Sequence, residues 1–284
     1  MDIHNLEQIK QEFSGFQQEF ENGNKEKALE KLLELLDALE EADTSRRAAQ
    51  IDKDGNVTLS SEIPAGKPAA EKSAEDGTGE SQPLYMSLNH VMEYYIFAYY
   101  FQPATEVRCT DIPYGEYYRT YGQLALSMQK YNGAKKAYER AIAWNPVDLD
   151  AYLGLAEVYK YQNQREKYLT VTKQAYRYCC TRATMARYYR NMAFYYLSGY
   201  EPETARACYQ YSNVYYHTEN ADSELKYISE AIQQETPQTD IRAIQKLFDE
   251  KQIEPGPDSQ TIGIVYKVGE ILLKDGDYKL AKDC

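Results

Sequence analysis

The stretch from Tyr114 to Pro146, YGEYYRTYGQLALSMQKYNGAKKAYERAIAWNP, constrains the fold more than any other part of the chain. Tyr118, Tyr121, Gly122 and Ala125 recur at three- and four-residue spacing. Ala134, Tyr138 and Ala141 take up the same rhythm before Pro146 stops it. That period places an apolar stripe on each of two amphipathic helices. Gly122, Ala134 and Ala141 are small where the stripes meet, so the helix axes must approach closely there. Tyr131, Asn132 and Gly133 read as the turn between the two helices.

The unit recurs. Tyr152, Leu155, Ala156 and Tyr159 repeat the first stripe, followed by Tyr168, Thr172 and Ala175, and Gly122 to Ala156 is 34 residues. Tyr189, Met192, Ala193 and Tyr196 repeat it again, followed by Ala205, Tyr209 and Ser212, with Ala193 lying 37 residues after Ala156. Val265, Val268, Gly269 and Leu272 carry the same signature once more. A helix pair of this size cannot bury its stripe alone, and stacked neighbours bury it together.

These residues resemble the tetratricopeptide repeat family, with tyrosine where that family has tryptophan and phenylalanine. The resemblance implies an all-α fold, a right-handed α-solenoid of helix–turn–helix repeats, and a protein- or peptide-binding scaffold rather than an enzyme. It places the first helix of each pair on a concave face, and so assigns peptide binding to Arg119, Gln123, Lys160, Tyr161, Arg187, Arg190 and Phe194. The family's clamp for C-terminal carboxylates falls on Arg119, Gln123, Gly154, Arg187 and Asn191. Two cations survive there, but Gly154 stands in place of the central asparagine and Asn191 in place of the last cation. The resemblance therefore does not carry chaperone-tail binding with it.

The clearest repeats are 115–148, 149–182 and 186–219, with a partial one at 262–284, all within an array spanning 84–284. Residues 1–42 read as a separate N-terminal helical hairpin. Leu6, Ile9, Phe13, Phe16 and Phe20 stripe its first helix, Asn22-Gly23-Asn24 turns the chain, and Ala28, Leu29, Leu32, Leu33, Leu35, Leu36 and Leu39 form the apolar set of its second. Between 43 and 83 large apolar residues nearly vanish, and such a segment cannot offset its ordering entropy, so a flexible acidic linker or long loop is expected. Within it Asp52, Asp54 and Asn56 imitate the first ligands of an EF-hand. Val57 and Ile63 occupy the places of the required glycine and glutamate, so a hairpin turn at Asp54-Gly55 replaces the metal reading. Helix is expected to resume over Leu84–Phe101. Farther on, Ser223–Gln234 and Asp240–Glu250 read as helices, and Pro255-Gly256-Pro257 as a break. The sequence stops at Cys284 inside a helical pattern, which reads as a fragment of a longer protein with an apolar end that a second copy of the chain could cover.

Charge narrows the function. The net charge is −12 over 284 residues. Residues 1–81 hold 19 acidic and 9 basic side chains, so −10 of it lies there. That balance argues against nucleic acid, whose binding depends on cations neutralising phosphates, and against anionic membrane surfaces. No window approaches the roughly 18 apolar residues of a membrane span. Residues 1–7 show neither the basic nor the apolar region of a secretory signal. Five cysteines, an odd number without framework spacing, read as reduced packing thiols of a cytoplasmic protein.

Catalytic motifs are missing from the sequence. His4, His90 and His217 lie in three separate segments, and no HExxH, GxSxG, GxGxxG or P-loop pattern occurs. No cofactor or metal is implied. Of 29 tyrosines, all but two fall between Tyr85 and Tyr227, where packing is the first reading and an aromatic peptide groove the second. The partner expected is a protein or peptide, with acidic character matched to the arginines. A regulatory or sensor module of a larger protein is the alternative, and an enzyme whose site the sequence does not show is a third.

Overall fold

The computed structural model describes residues 6–42, 47, 49–51, 57–59 and 83–284. Thirteen helices and four strands of three residues each lie there, an all-α chain as the periodicity predicts. It divides into two compact units, Met1–Val158 and Tyr159–Cys284.

The first unit opens with a hairpin of α1 (Leu6–Glu21) and α2 (Lys25–Ala42). Ile9, Phe16, Ala28, Leu29, Leu32, Leu35, Leu36 and Leu39 are enclosed, whereas Leu6, Phe20 and Leu33, expected on the same stripes, are exposed. Each large aliphatic side chain so buried contributes about 1.5–3 kcal/mol. The hairpin is not a body apart. Phe13 stacks on Tyr117 at 4.2 Å, the Tyr118 hydroxyl donates to the Glu40 carboxylate, and Arg140 pairs with Glu40 at 3.4 Å. Apolar and polar contacts together bind it to the repeat helices, so the compact unit runs past the expected boundary at residue 42.

Most of residues 43–83, and with them Asp52, Asp54 and Asn56, lie outside the described residues. The parts described are ordered into strands. β1 (Ala49–Ile51) pairs antiparallel with β2 (Val57–Leu59), Ala49 opposite Leu59 and Ile51 opposite Val57, which is the pairing of a hairpin. β3 (Leu84–Met86) pairs parallel with β4 (Val107–Cys109), crossing over through α3 (Val91–Phe101). This corrects the helix expected from Leu84. Leu84 and Met86 are buried on one side of an extended segment, and the helix begins only after His90.

Four helices carry the repeat pattern onward: α4 (Tyr114–Ser127), α5 (Tyr131–Trp144), α6 (Leu149–Tyr161), within which the division between units falls, and α7 (Arg165–Tyr176), which belongs to the second unit. Gly122, Ala125, Ala134, Tyr138 and Ala141 are all buried. The Tyr138 ring lies so close to Gly122 and Gly154 that a methyl group added to either would fall 2.9 Å and 2.3 Å from it. Trp144 is wholly enclosed, with Tyr114 stacked on it at 4.1 Å and 3° and the Arg47 guanidinium 5.3 Å from its ring centre.

The second unit continues with α8 (Arg182–Ser198), α9 (Pro202–Tyr215), α10 (Glu219–Ile232), α11 (Ile241–Lys251), α12 (Ser259–Lys274) and α13 (Tyr278–Asp283). Tyr189, Met192, Ala193 and Tyr196 from α8 meet Ala205, Cys208, Tyr209 and Ser212 from α9 in its core. Cys179 and Cys180 are separate thiols. Burial pushes Cys179 up to about 12, so it packs as a neutral thiol.

Among the described residues five helix pairs break in the same way, α1/α2 at Gly23 and α12/α13 at Gly276 as well as three of the repeat pairs. Gln129, Asn163 and Tyr200 have left-handed backbone, with φ of 59°, 55° and 62°. In each break an amide donates five residues back: Lys130 to Ala125, Gln164 to Tyr159 and Glu201 to Tyr196, at 2.8–2.9 Å. This motif satisfies the last carbonyls of the helix. The three residues are 34 and 37 apart, the spacings of Gly122, Ala156 and Ala193. The turn expected at Tyr131-Asn132-Gly133 is thereby corrected. Those residues open α5, and Gln129 makes the break.

Candidate functional site

Of the seven residues assigned to peptide binding, Arg119 and Gln123 belong to the first unit and the other five to the second. In the first unit Gln123 is exposed on α4, whereas Arg119 is held. Its Nε lies 3.0 Å from Asp148 Oδ2 as an ion pair rather than an aligned hydrogen bond. Its Nη1 lies 3.3 Å from Asp150, and its Nη2 donates to Asn89 Oδ1 at 2.8 Å. Asn89 Nδ2 donates in turn to Asp148 and to Glu93, and Asn145 Nδ2 to Glu93 at 2.7 Å. Asp148 Oδ1 accepts from the Ala151 amide at 3.1 Å, capping the first turn of α6. The cation is thus committed to a network that joins the start of α3 to the start of α6.

Asp148 is 1% exposed. Burial pushes its carboxyl up to about 6, opposed by Arg119 and reinforced by repulsion from Glu93. A carboxyl raised in the folded state stabilises when protonated. That contribution is fully present below its unfolded value of 3.8 and is lost as pH rises through about 6. The Asp148→Asn chain lacks the titration. The melting temperature of the natural chain minus that of the variant should therefore climb as pH falls from about 7 to about 4. A flat difference across that window would show the carboxyl to be effectively solvated.

In the second unit the α8 residues Arg187, Arg190 and Phe194 follow one another at helical spacing. Arg187 is exposed and makes no ion pair among the described residues. Phe194 is half-buried in a T-shaped contact with Tyr168, and the Lys160 ammonium sits 4.5 Å from its ring centre. Such a contact contributes about 0.5–1 kcal/mol where water reaches it. Tyr161 is 58% exposed. Arg190 is drawn inward, and its guanidinium donates to the Tyr216 carbonyl. Arg182 Nε donates to the Tyr215 carbonyl at 2.8 Å. Both arginines therefore satisfy carbonyls at the C-terminal end of α9, where the helix dipole favours positive charge.

A second constellation in this unit was not legible as a site in the sequence. Four tyrosine hydroxyls from three helices converge on three consecutive main-chain carbonyls. Tyr189 donates to Glu254 at 2.8 Å, Tyr211 to Pro255 at 2.6 Å, Tyr215 to Pro255 at 3.5 Å, and Tyr176 to Gly256 at 2.9 Å. Phe248 closes the floor, its ring 5.6 Å from Tyr189 and 5.0 Å from Tyr211. Burial raises the Tyr189 and Tyr215 hydroxyls above the usual phenol range, so they remain donors. The one signal available beforehand was the Pro255-Gly256-Pro257 break, together with Tyr211 and Tyr215 one helical turn apart.

No protein-family model, no curated protein and no solved structure matches this chain. Among the described residues no helix is long and apolar enough to cross a membrane, and no three His, Cys, Asp or Glu side chains gather as a metal site would require.

Proposed function

We propose that the chain is a non-enzymatic scaffold, a right-handed tetratricopeptide-like solenoid whose helical face takes up a protein or peptide of acidic character. The observation that carries this reading is the outer stripe of α8. There an exposed guanidinium at Arg187, without an ion pair among the described residues, lies two turns from an aromatic ring at Phe194 that already holds a cation. A carboxylate on an extended peptide can pair with Arg187 while an apolar side chain rests on Phe194, with Lys160 and Tyr161 beside it. The matched left-handed breaks at Gln129, Asn163 and Tyr200 support the repeat reading. Arg119 and Arg190 serve internal contacts, which moves the weight of recognition onto Arg187.

Fluorescence anisotropy with an array of labelled acidic peptides tests this. The natural chain should retain a subset, with affinity falling as salt is raised. Arg187→Glu combined with Phe194→Ala should weaken those peptides at least about tenfold, and Arg187→Glu alone should leave the melting temperature unchanged. Equal binding by the double variant would move recognition off this helix.

A further inference from the structure

We propose that Tyr176, Tyr189, Tyr211 and Tyr215 form a groove for the main chain of proline-rich peptides, which the chain's own residues 253–258 occupy and mask. Four hydroxyl donors meet three consecutive carbonyls of the segment. Ile253 is buried at one end, while the side chains of Glu254, Pro255 and Pro257 stand exposed. What is gripped is therefore the backbone, through the carbonyls of Glu254, Pro255 and Gly256.

The ligand class follows from what the segment lacks. Pro255 and Pro257 have no N–H, so two amides that would need acceptors are absent. A wall of phenol donors over aromatic rings suits a backbone rich in acceptors and poor in donors, and sequences dense in proline are of that kind. After a bend at Pro255-Gly256, Asp258 is extended, with φ −60° and ψ 120°, and its carboxylate caps α12 through the Gln260 and Thr261 amides. The other end is fixed by the Ile253 amide on the Phe248 carbonyl at 2.9 Å. Tethered at both ends, the segment has a high effective concentration, so an outside peptide must displace it. The groove and the α8 stripe are separate proposals with separate ligands.

The test uses the full chain and a fluorescein-labelled peptide with the sequence of residues 253–258. Pro255→Gly with Pro257→Gly loosens the internal segment and should tighten peptide binding at least about tenfold over the natural chain. Adding Tyr189→Phe and Tyr211→Phe, which remove only hydroxyls, should cancel that gain. A peptide with alanine for both prolines should bind at least about tenfold more weakly. Arg187→Glu should change none of this, which keeps the result independent of the α8 proposal. No gain on loosening, or full binding without the hydroxyls, overturns the inference. Should the loosened chain fail to melt cooperatively, proteolysis of the natural chain decides. Excess peptide should speed cutting within 253–258, and an unchanged rate overturns the groove.

Discussion

The Gly154→Asn chain should lose its first unit to heat well before the natural chain does. A Cβ at position 154 would lie 2.3 Å from Tyr138 Cε1 and Cζ and 2.8 Å from its hydroxyl oxygen. Tyr138 is 2% exposed and is met on Gly122 as well, so the ring has nowhere to retreat. Overpacking costs about 1–3 kcal/mol, and the buried amide adds about 1–3 kcal/mol if it finds no partner. Together these come to about 2–6 kcal/mol, and a loss of about 3 kcal/mol lowers the melting temperature by about 6–12 °C in a body of this size. Gly122→Ala, whose methyl falls 2.9 Å from the ring, should cost less. Tyr138→Ala should cost less in the Gly154→Asn background than in the natural chain if the ring is the obstacle. An unshifted circular-dichroism melt for Gly154→Asn would mean that the ring does not fill this space.

Phe248→Ala should have an effect of similar size on the second unit. Phe248 is wholly buried and packs against Tyr189 and Tyr211 together. Truncating such a ring costs about 3–5 kcal/mol, including the cavity left behind. Phe248→Leu keeps most of the volume and should cost less than about 1.5 kcal/mol. Calorimetry would separate the two, with the alanine chain melting more than about 10 °C lower. Near-equal melting of both variants would show that the pocket collapses around the gap.

These two positions show what was legible in the sequence and what was not. The spacing of Gly122, Ala156 and Ala193 foretold helix pairs at 34 and 37 residues, and the breaks at Gln129, Asn163 and Tyr200 keep the same spacing. The breaks at Gln129 and Tyr200 were hidden, because a left-handed stop is readable when it is glycine or asparagine, as at Asn163, and unreadable when it is glutamine or tyrosine. Asn132-Gly133 drew the turn to the wrong place for that reason. The strand at Leu84–Met86 was unreadable because three residues carry no period, and its partner lies beyond α3. Arg119 looked free on its helix because Asp148, which holds it, is 29 residues away. Gly154 read as a missing ligand, whereas its neighbours in space make it a packing requirement. The tyrosine pattern located the rings correctly but could not say where the hydroxyls point.

Trp144 has a consequence of another kind. It is the chain's single tryptophan, fully enclosed in the first unit and stacked on Tyr114. Light at the red edge of its absorption excites it and leaves the tyrosines dark. Its emission therefore follows Met1–Val158 alone, with no introduced label. The tyrosine signal reports both units, 17 of the 29 rings lying in Tyr159–Cys284, so a tyrosine change without a tryptophan change belongs to the second. The natural chain thus carries two optical channels, and whether its units unfold together or in turn can be watched in one cuvette.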